Sequence, residues 1–275
     1  MYPAASQVRY WQDGFSLFTH AQKVTSDNWF AHIALGRDLL RREKFEAATE
    51  QFFETLRLKP NYIPTYIVLG LSYARQNKLD EAIAYLTQAE RMNPNLADVQ
   101  ESLGILYEQL GDRDAAWQHF KKALELDPQN ATAHKHLGNM RADDGNLEAA
   151  IKHYTESLKG QPGDARVHYN LGLVLAKQGK LDKADEHYLA ALKREPDNAD
   201  AHYNLANVQV AQNKLDEAAE HYQKALAVKS DFIPAMLNLA FVYATQKEER
   251  LMGEILDQKD NRKVKVRSFP YMSNS

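Results

Sequence analysis

The sequence predicts an all-α protein: a right-handed superhelical solenoid of antiparallel helix hairpins. Three observations carry this expectation. Prolines stand at Pro60, Pro94, Pro128, Pro162 and Pro196, a fixed 34 residues apart, and a period of that length marks stacked repeats. Within each interval, leucines, small residues and rings recur at three- and four-residue steps, the spacing of one helix face. Midway stands a residue suited to the left-handed conformation that closes a helix: Asn77, Gly111, Gly145, Gly179 and Asn213.

The elements follow in chain order. Residues 1–28 form an N-terminal capping segment. "RYWQDGFSLFTHAQKVTSDNW" fits the register of a lone second helix, with Phe18 in the ring slot and Ala21 in the alanine slot. Such a helix covers the open end of the first hairpin, as terminal caps do in repeat arrays.

Six complete units fill residues 29–232, starting at Trp29, Ile63, Ala97, Ala131, Ala165 and Ala199. Their seventh residue is always leucine (Leu35, Leu69, Leu103, Leu137, Leu171, Leu205), and their eighth is glycine until Ala206. The twentieth is alanine throughout, from Ala48 to Ala218. The twenty-fourth is a ring (Phe52, Phe120, Tyr154, Tyr188, Tyr222) except at Leu86. Small residues at positions eight and twenty let two backbones approach where leucine and ring interlock. Proline stops the second helix, and Asn61, Asn95, Asp164 and Asn198 are placed to cap the following first helix. A hairpin cannot bury both of its faces alone, so neighbours must stack.

Residues 233–258 read as a partial seventh repeat and C-terminal cap, with Leu251 to Asp260 as a degenerate closing helix. Residues 259–275 alternate base and valine before a polar end. They fit a disordered basic tail or a strand added to a partner.

Composition narrows the function. The 275 residues are 44% hydrophobic and 26% charged, the balance of a folded chain. A net charge of −3 supplies no basic field for nucleic acid. Without cysteine there are no disulfides, thiolate metal sites or cysteine nucleophiles. No apolar run approaches the roughly 18 residues of a membrane span, and the start lacks the basic-then-apolar order of a signal peptide. Phosphate-binding, nucleophile-elbow, zinc-protease and dinucleotide-turn motifs are all missing, so the chain is expected to be no enzyme and to need no cofactor. Most of the ten histidines fall in register: His32, His134, His168 and His202 at the fourth position, His119, His153, His187 and His221 at the twenty-third. Equivalent positions on stacked helices lie about 8–10 Å apart, too far for shared zinc ligation. They are expected to be structural or surface residues, and no metal is expected.

The repeated Leu-Gly, then Tyr, Ala, ring, Ala and Pro resembles the tetratricopeptide repeat over about residues 29–245. Thr55 and Ser157 replace an alanine late in the second helix. Arg141 and Gln209 occupy a slot held elsewhere by Tyr73, Tyr107 and Tyr243, and looser packing is expected there. The N-terminal segment, through Tyr10, Leu17 to Ala21, Val24 to Asn28 and Ala31 to Gly36, is similar to the junction that follows the last membrane helix in bacterial multi-pass, glycosyltransferase-like proteins. That likeness implies a fragment with a possible membrane domain upstream, placed in the periplasm; a complete chain would be cytoplasmic. This chain itself carries nothing to insert directly into a membrane, and its oligomeric state is not legible.

The resemblance to tetratricopeptide arrays also implies that first helices line an inner, concave wall through positions two, five, six and nine. In the C-terminal half these are Lys135, Asn139, Arg166, Tyr169, Asn170, Tyr203, Asn204, Asn207 and Asn238. In the N-terminal half they include the apolar Ile33, Ile67, Val68, Leu71 and Ile105. Asparagine is a poor helix former, and an amide offers both donor and acceptor to an extended backbone. The amide-rich stretch is therefore the expected peptide-binding groove, and Ile33, Ile67, Leu71 and Ile105 a secondary apolar one. The alternative is that these asparagines are merely solvated. Asn170, Asn204 and Asn238 match the asparagine ladder of the O-linked N-acetylglucosamine transferase repeats, a ladder broken earlier by Ala34, Val68, Ser102 and His136. Lys135, Asn139 and Asn170 match part of the co-chaperone carboxylate clamp, but Asp200 stands where that clamp needs a cation. The functional expectation is a non-catalytic protein-interaction scaffold that binds an extended peptide or partner segment. The alternative is an accessory domain of a membrane glycosyltransferase-like protein that positions substrate or subunits.

Overall fold

The computed structural model describes residues 14–25 and 27–248, and these contain fourteen helices and no strand. The Leu251–Asp260 helix and the basic tail of the sequence reading lie outside the described residues. The chain divides into two compact units, residues 1–137 and 138–275.

The first unit holds α1 (Gly14–Val24) and three hairpins: α2 (Trp29–Arg41) with α3 (Phe45–Leu58), α4 (Ile63–Arg75) with α5 (Leu79–Met92), and α6 (Ala97–Leu110) with α7 (Arg113–Leu126). Helix α8 (Ala131–Asp143) contains the boundary. The second unit continues with α9 (Leu147–Gly160), then α10 (Ala165–Lys177) with α11 (Leu181–Arg194), and α12 (Ala199–Ala211) with α13 (Leu215–Val228). It ends on α14, over 233–248. Helices α3, α5, α11 and α13 each pack on their own first helix, as does α7 on α6; α3, α5, α9 and α11 pack on the first helix that follows them, and α1 packs on α2.

The helix ends bear out the spacing argument. Position fifteen has a positive φ in all six units: 58° at Glu43, 57° at Asn77, 86° at Gly111, 73° at Gly145, 74° at Gly179 and 59° at Asn213. The following N–H then reaches back five residues, as Lys78 does to Tyr73 O (3.0 Å) and Lys180 to Leu175 O (2.9 Å). This hydrogen-bonded closure satisfies carbonyls that the helix leaves free. Glu43 adopts it too, although nothing in its side chain favours the conformation. Helix α14 runs through Lys247, the equivalent position, and makes no such turn. Each of α3, α5, α7, α9 and α11 stops two residues before its periodic proline.

The caps need one correction. Asp164 and Asn198 cap α10 and α12, accepting from Val167 N (3.1 Å) and Ala201 N (2.9 Å). Asn28 and Asn130 do the same for Ala31 and Ala133. Asn61 and Asn95 fall one residue too early: the cap positions there are Tyr62 and Leu96, which offer no side-chain acceptor.

The core follows the repeat. The leucines at position seven, the alanines at position twenty and the residues at position twenty-four are nearly all inaccessible. A Cβ added at Gly172 would stand 2.8 Å from Tyr188 Cε1, and one at Gly104 would stand 2.7 Å from Phe120. Thr55 and Ser157 are completely buried, and Thr55 Oγ1 donates to Gln51 O at 2.9 Å. Gln209 is buried with its side-chain oxygen unpartnered, a polar atom that the tyrosine found elsewhere in that slot would not strand.

Candidate functional site

In the second unit the asparagines form a hydrogen-bonded system, and its origin is the ring slot. Tyr154 and Tyr222 are buried there, and each hydroxyl needs an acceptor within its own hairpin. The ninth residue supplies it: Tyr154 Oη donates to Asn139 Oδ1 at 2.8 Å, and Tyr222 Oη to Asn207 Oδ1 at 2.6 Å. The same oxygens accept a second bond from the sixth residue of the next repeat, Asn170 Nδ2 to Asn139 (3.0 Å) and Asn238 Nδ2 to Asn207 (2.9 Å). Where Leu173 replaces the ninth-position amide, Asn204 Nδ2 turns instead to Tyr169 Oη at 3.0 Å. Asn238 also lies 3.5 Å from Tyr203 Oη. Burial pushes the phenols of Tyr154, Tyr169, Tyr188 and Tyr222 upward, so each stays neutral. The charge of Asp200 raises Tyr169 further.

These bonds separate two classes of amide. The carbonyl oxygens of Asn139 and Asn207 are fully used inside the fold, which the sequence reading did not foresee. The sixth-position amides of Asn170 and Asn204 each spend one N–H, and Asn238 Nδ2 is shared among Asn207 Oδ1, Tyr222 Oη (3.3 Å) and Tyr203 Oη. Their carbonyl oxygens have no partner among the described residues. Tyr169 and Tyr203 beside them are half-buried, and Arg166 is exposed. Lys135 is half-buried and belongs to the first unit.

The histidines meet in a way that stacking distances did not suggest. Positions four and twenty-three face each other within one hairpin, with His168 Nδ1 3.0 Å from His187 Nδ1 and His202 Nδ1 2.9 Å from His221 Nδ1. Nε2 of His168 and His202 lies 3.1 and 2.9 Å from the carbonyl oxygens of Pro162 and Pro196, and must donate to them. The neutral fourth-position ring therefore accepts at Nδ1, and the twenty-third-position ring donates its Nδ1–H. Burial and the facing imidazole lower His187, and take His221 down to about 4. Glutamine fills the same role elsewhere: His32 pairs with Gln51 at 2.9 Å, and His119 with Gln100 at 2.8 Å. Among the described residues no three His, Asp or Glu side chains converge as a metal site would require.

The first unit presents a different face. Ile33 does not line it: the side chain is 3% exposed within a core cluster against which Phe18 of α1 also packs. Val68 is likewise buried. Ile67 and Ile105 are half-buried and Leu71 is exposed. Leu71 and Ile105, with Ala74, Leu86 and Leu106, line a cleft of about 240 Å³, rimmed by Arg75, Ser102 and Gln109.

Comparison with known proteins agrees with the helix-hairpin fold. The tetratricopeptide repeat family matches residues 67–131 and 169–231, and a second family described as TPR repeat matches residues 138–179. No curated protein matches the chain. Among solved structures, the APC/C hetero-tetramer Cut9-Hcn1 is similar with a TM-score of 0.64 and 21% identity, over 83% of this chain and 45% of that one. This chain thus spans less than half of that relative. YrrB, described as a TPR protein with an unusual peptide-binding site, gives a TM-score of 0.60 and 22% identity over 68% of this chain and 96% of its own. PilF of Pseudomonas aeruginosa gives 0.57 and 22% over 71% and 90%. At these identities the likeness is one of fold.

Proposed function

The chain belongs to the tetratricopeptide repeat proteins, a fold of interaction scaffolds, and on that premise we propose that it is non-catalytic and binds an extended peptide on the first-helix face of its second unit. One observation carries the reading. Three successive first helices present Asn170, Asn204 and Asn238 at the same position, each anchored through Nδ2 and each with an open carbonyl oxygen. Anchoring removes rotamer freedom before a ligand arrives, which lowers the ordering cost of binding. An open oxygen meets the N–H of an extended backbone whatever its side chains, and at Asn170 and Asn204 a remaining N–H can meet its C=O. Tyr169 and Tyr203 add flat apolar surface beside the amides. Peptide recognition in a structural neighbour, YrrB, supports the class of ligand. The amides and neutral phenols provide no activated nucleophile, and the site needs no cofactor.

The test is titration of a co-purifying partner against wild type and an Asn170→Ala/Asn204→Ala/Asn238→Ala variant, with circular dichroism to verify folding. Each lost hydrogen bond is worth about 0.5–1.5 kcal/mol net, so affinity should fall by roughly one to three orders of magnitude. Asn139 is left intact because its removal would strand Tyr154 Oη. Unchanged affinity in the folded variant overturns the reading.

A further inference from the structure

We propose that the cleft between α4 and α6 in the first unit receives one large apolar side chain of a peptide whose adjacent residue is acidic. The cleft arises from the one break in the ring slot. Phe52 and Phe120 fill that slot in the hairpins before and after, whereas the middle hairpin has Leu86, which leaves space beside it. The walls are apolar: Leu71 and Ala74 from α4, Leu86 from α5, Ile105 and Leu106 from α6. The volume of about 240 Å³ is below the roughly 300–1,000 Å³ of small-molecule sites. It suits a single leucine-, methionine- or phenylalanine-sized group.

The rim supplies the charge preference. Ser102 Oγ is committed to Asp98 O at 2.7 Å. Arg75 is exposed and has no ion pair or hydrogen bond among the described residues. The two glutamates of α6 have other partners: Glu101 accepts from Asn130 Nδ2, and Glu108 from His136 Nδ1, each at 2.7 Å. An apolar socket beside uncompensated guanidinium favours an apolar residue followed by a carboxylate. The site is separate from the amide face of the second unit and does not depend on it.

Methyl-resolved NMR of the full chain, titrated with the synthetic peptide Ser-Gly-Leu-Asp-Gly-Ser, provides the experiment. Saturable shifts are expected at the methyls of Leu71, Ile105 and Leu106. Replacing the peptide's leucine by alanine should weaken binding about tenfold, the loss of one buried side chain. Replacing its aspartate by asparagine should weaken binding about threefold, the scale of an exposed ion pair. Arg75→Gln lies on the exposed rim and should reduce the aspartate peptide to the level of the asparagine peptide without altering the latter. Asn170→Ala/Asn204→Ala/Asn238→Ala should leave all of these shifts unchanged. If that variant abolishes them, the peptide sits on the amide face and the cleft proposal fails. Absent shifts, or equal binding of leucine and alanine peptides, overturn the apolar socket. Equal binding of aspartate and asparagine peptides overturns the acidic preference.

Discussion

The two units use the same hairpin, with the same leucine and the same alanine, and differ in the residue between the helices. In the first unit position twenty-four is Phe52, Leu86 or Phe120, and the ninth residue across from it is Arg37, Leu71 or Ile105. In the second it is Tyr154, Tyr188 or Tyr222, and the ninth residue is Asn139, Leu173 or Asn207. One oxygen atom per ring accounts for much of the contrast. A buried hydroxyl requires an acceptor, an amide meets that need, and the amide then holds the sixth-position asparagine of the next repeat. The chemistry of the first-helix face is thus set partly by satisfaction of the core. Asn139 and Asn207 are present for the fold, and only the sixth-position amides are left with acceptors to offer.

Four changes break or sharpen this contrast. Gly172→Leu has the largest expected effect, because even a bare Cβ there would stand 2.8 Å from Tyr188. The loss should reach the upper end of the about 1–3 kcal/mol typical of overpacked cores. Since repeats couple to neighbours, hydrogen exchange should accelerate around α10 and α11 first; uniform acceleration to the chain ends contradicts this.

Asn207→Leu should cost about 1–3 kcal/mol by stranding Tyr222 Oη. Adding Tyr222→Phe converts the pair to the chemistry of the first unit and should restore most of the loss in a double-mutant cycle. Strict additivity of the two substitutions would show that the amide is not there for the hydroxyl.

The third concerns pH. Burial, with the facing His202 imidazole, pushes His221 down to about 4 from the usual imidazole range near 6.5, so the unfolded chain binds the extra proton first. The stability its neutral form contributes is complete above about pH 6.5 and is lost as pH falls from there toward 4. His202, Lys224 and Glu220 are the groups acting on it electrostatically. His221→Gln should keep a hydrogen bond to His202, as Gln51 does to His32, and flatten the acid limb of urea-midpoint stability between those pH values. An unaltered acid limb would remove His221 as its source.

The smallest change is expected at Tyr188→Phe. Leu173 gives that hydroxyl no amide, and it has no hydrogen-bond partner among the described residues. Its removal should stay within about 0.5 kcal/mol, measured by chemical denaturation beside Tyr222→Phe.

Much of the molecule was legible before any coordinates. The 34-residue period, position fifteen and the prolines located the hairpins because each is a local backbone requirement, met within a turn or two of chain. Caps were legible only to within one residue, since Asn61 and Asn95 are as suitable chemically as Asn28 but stand one step too early to accept. The candidate face was legible as a list of positions, and the list mixed residues with different fates. Ile33 belongs to the core in a cluster that also takes in Phe18. Asn139 and Asn207 are consumed by rings fifteen residues further along.

By itself, the sequence determined the helical class, the hairpin length and which residues are core, because periodicity and helix closure are properties of neighbours along the chain. Only the tertiary structure decided which polar atoms remain available. Hydrogen-bond valence is spent between residues 15, 19 or 31 positions apart, and no pattern along one helix records how a carbonyl oxygen on the next helix has been used. For the same reason the pairing of His168 with His187 emerged only when both helices of the hairpin were in place, and the cleft beside Leu86 only with the first helix of the next hairpin.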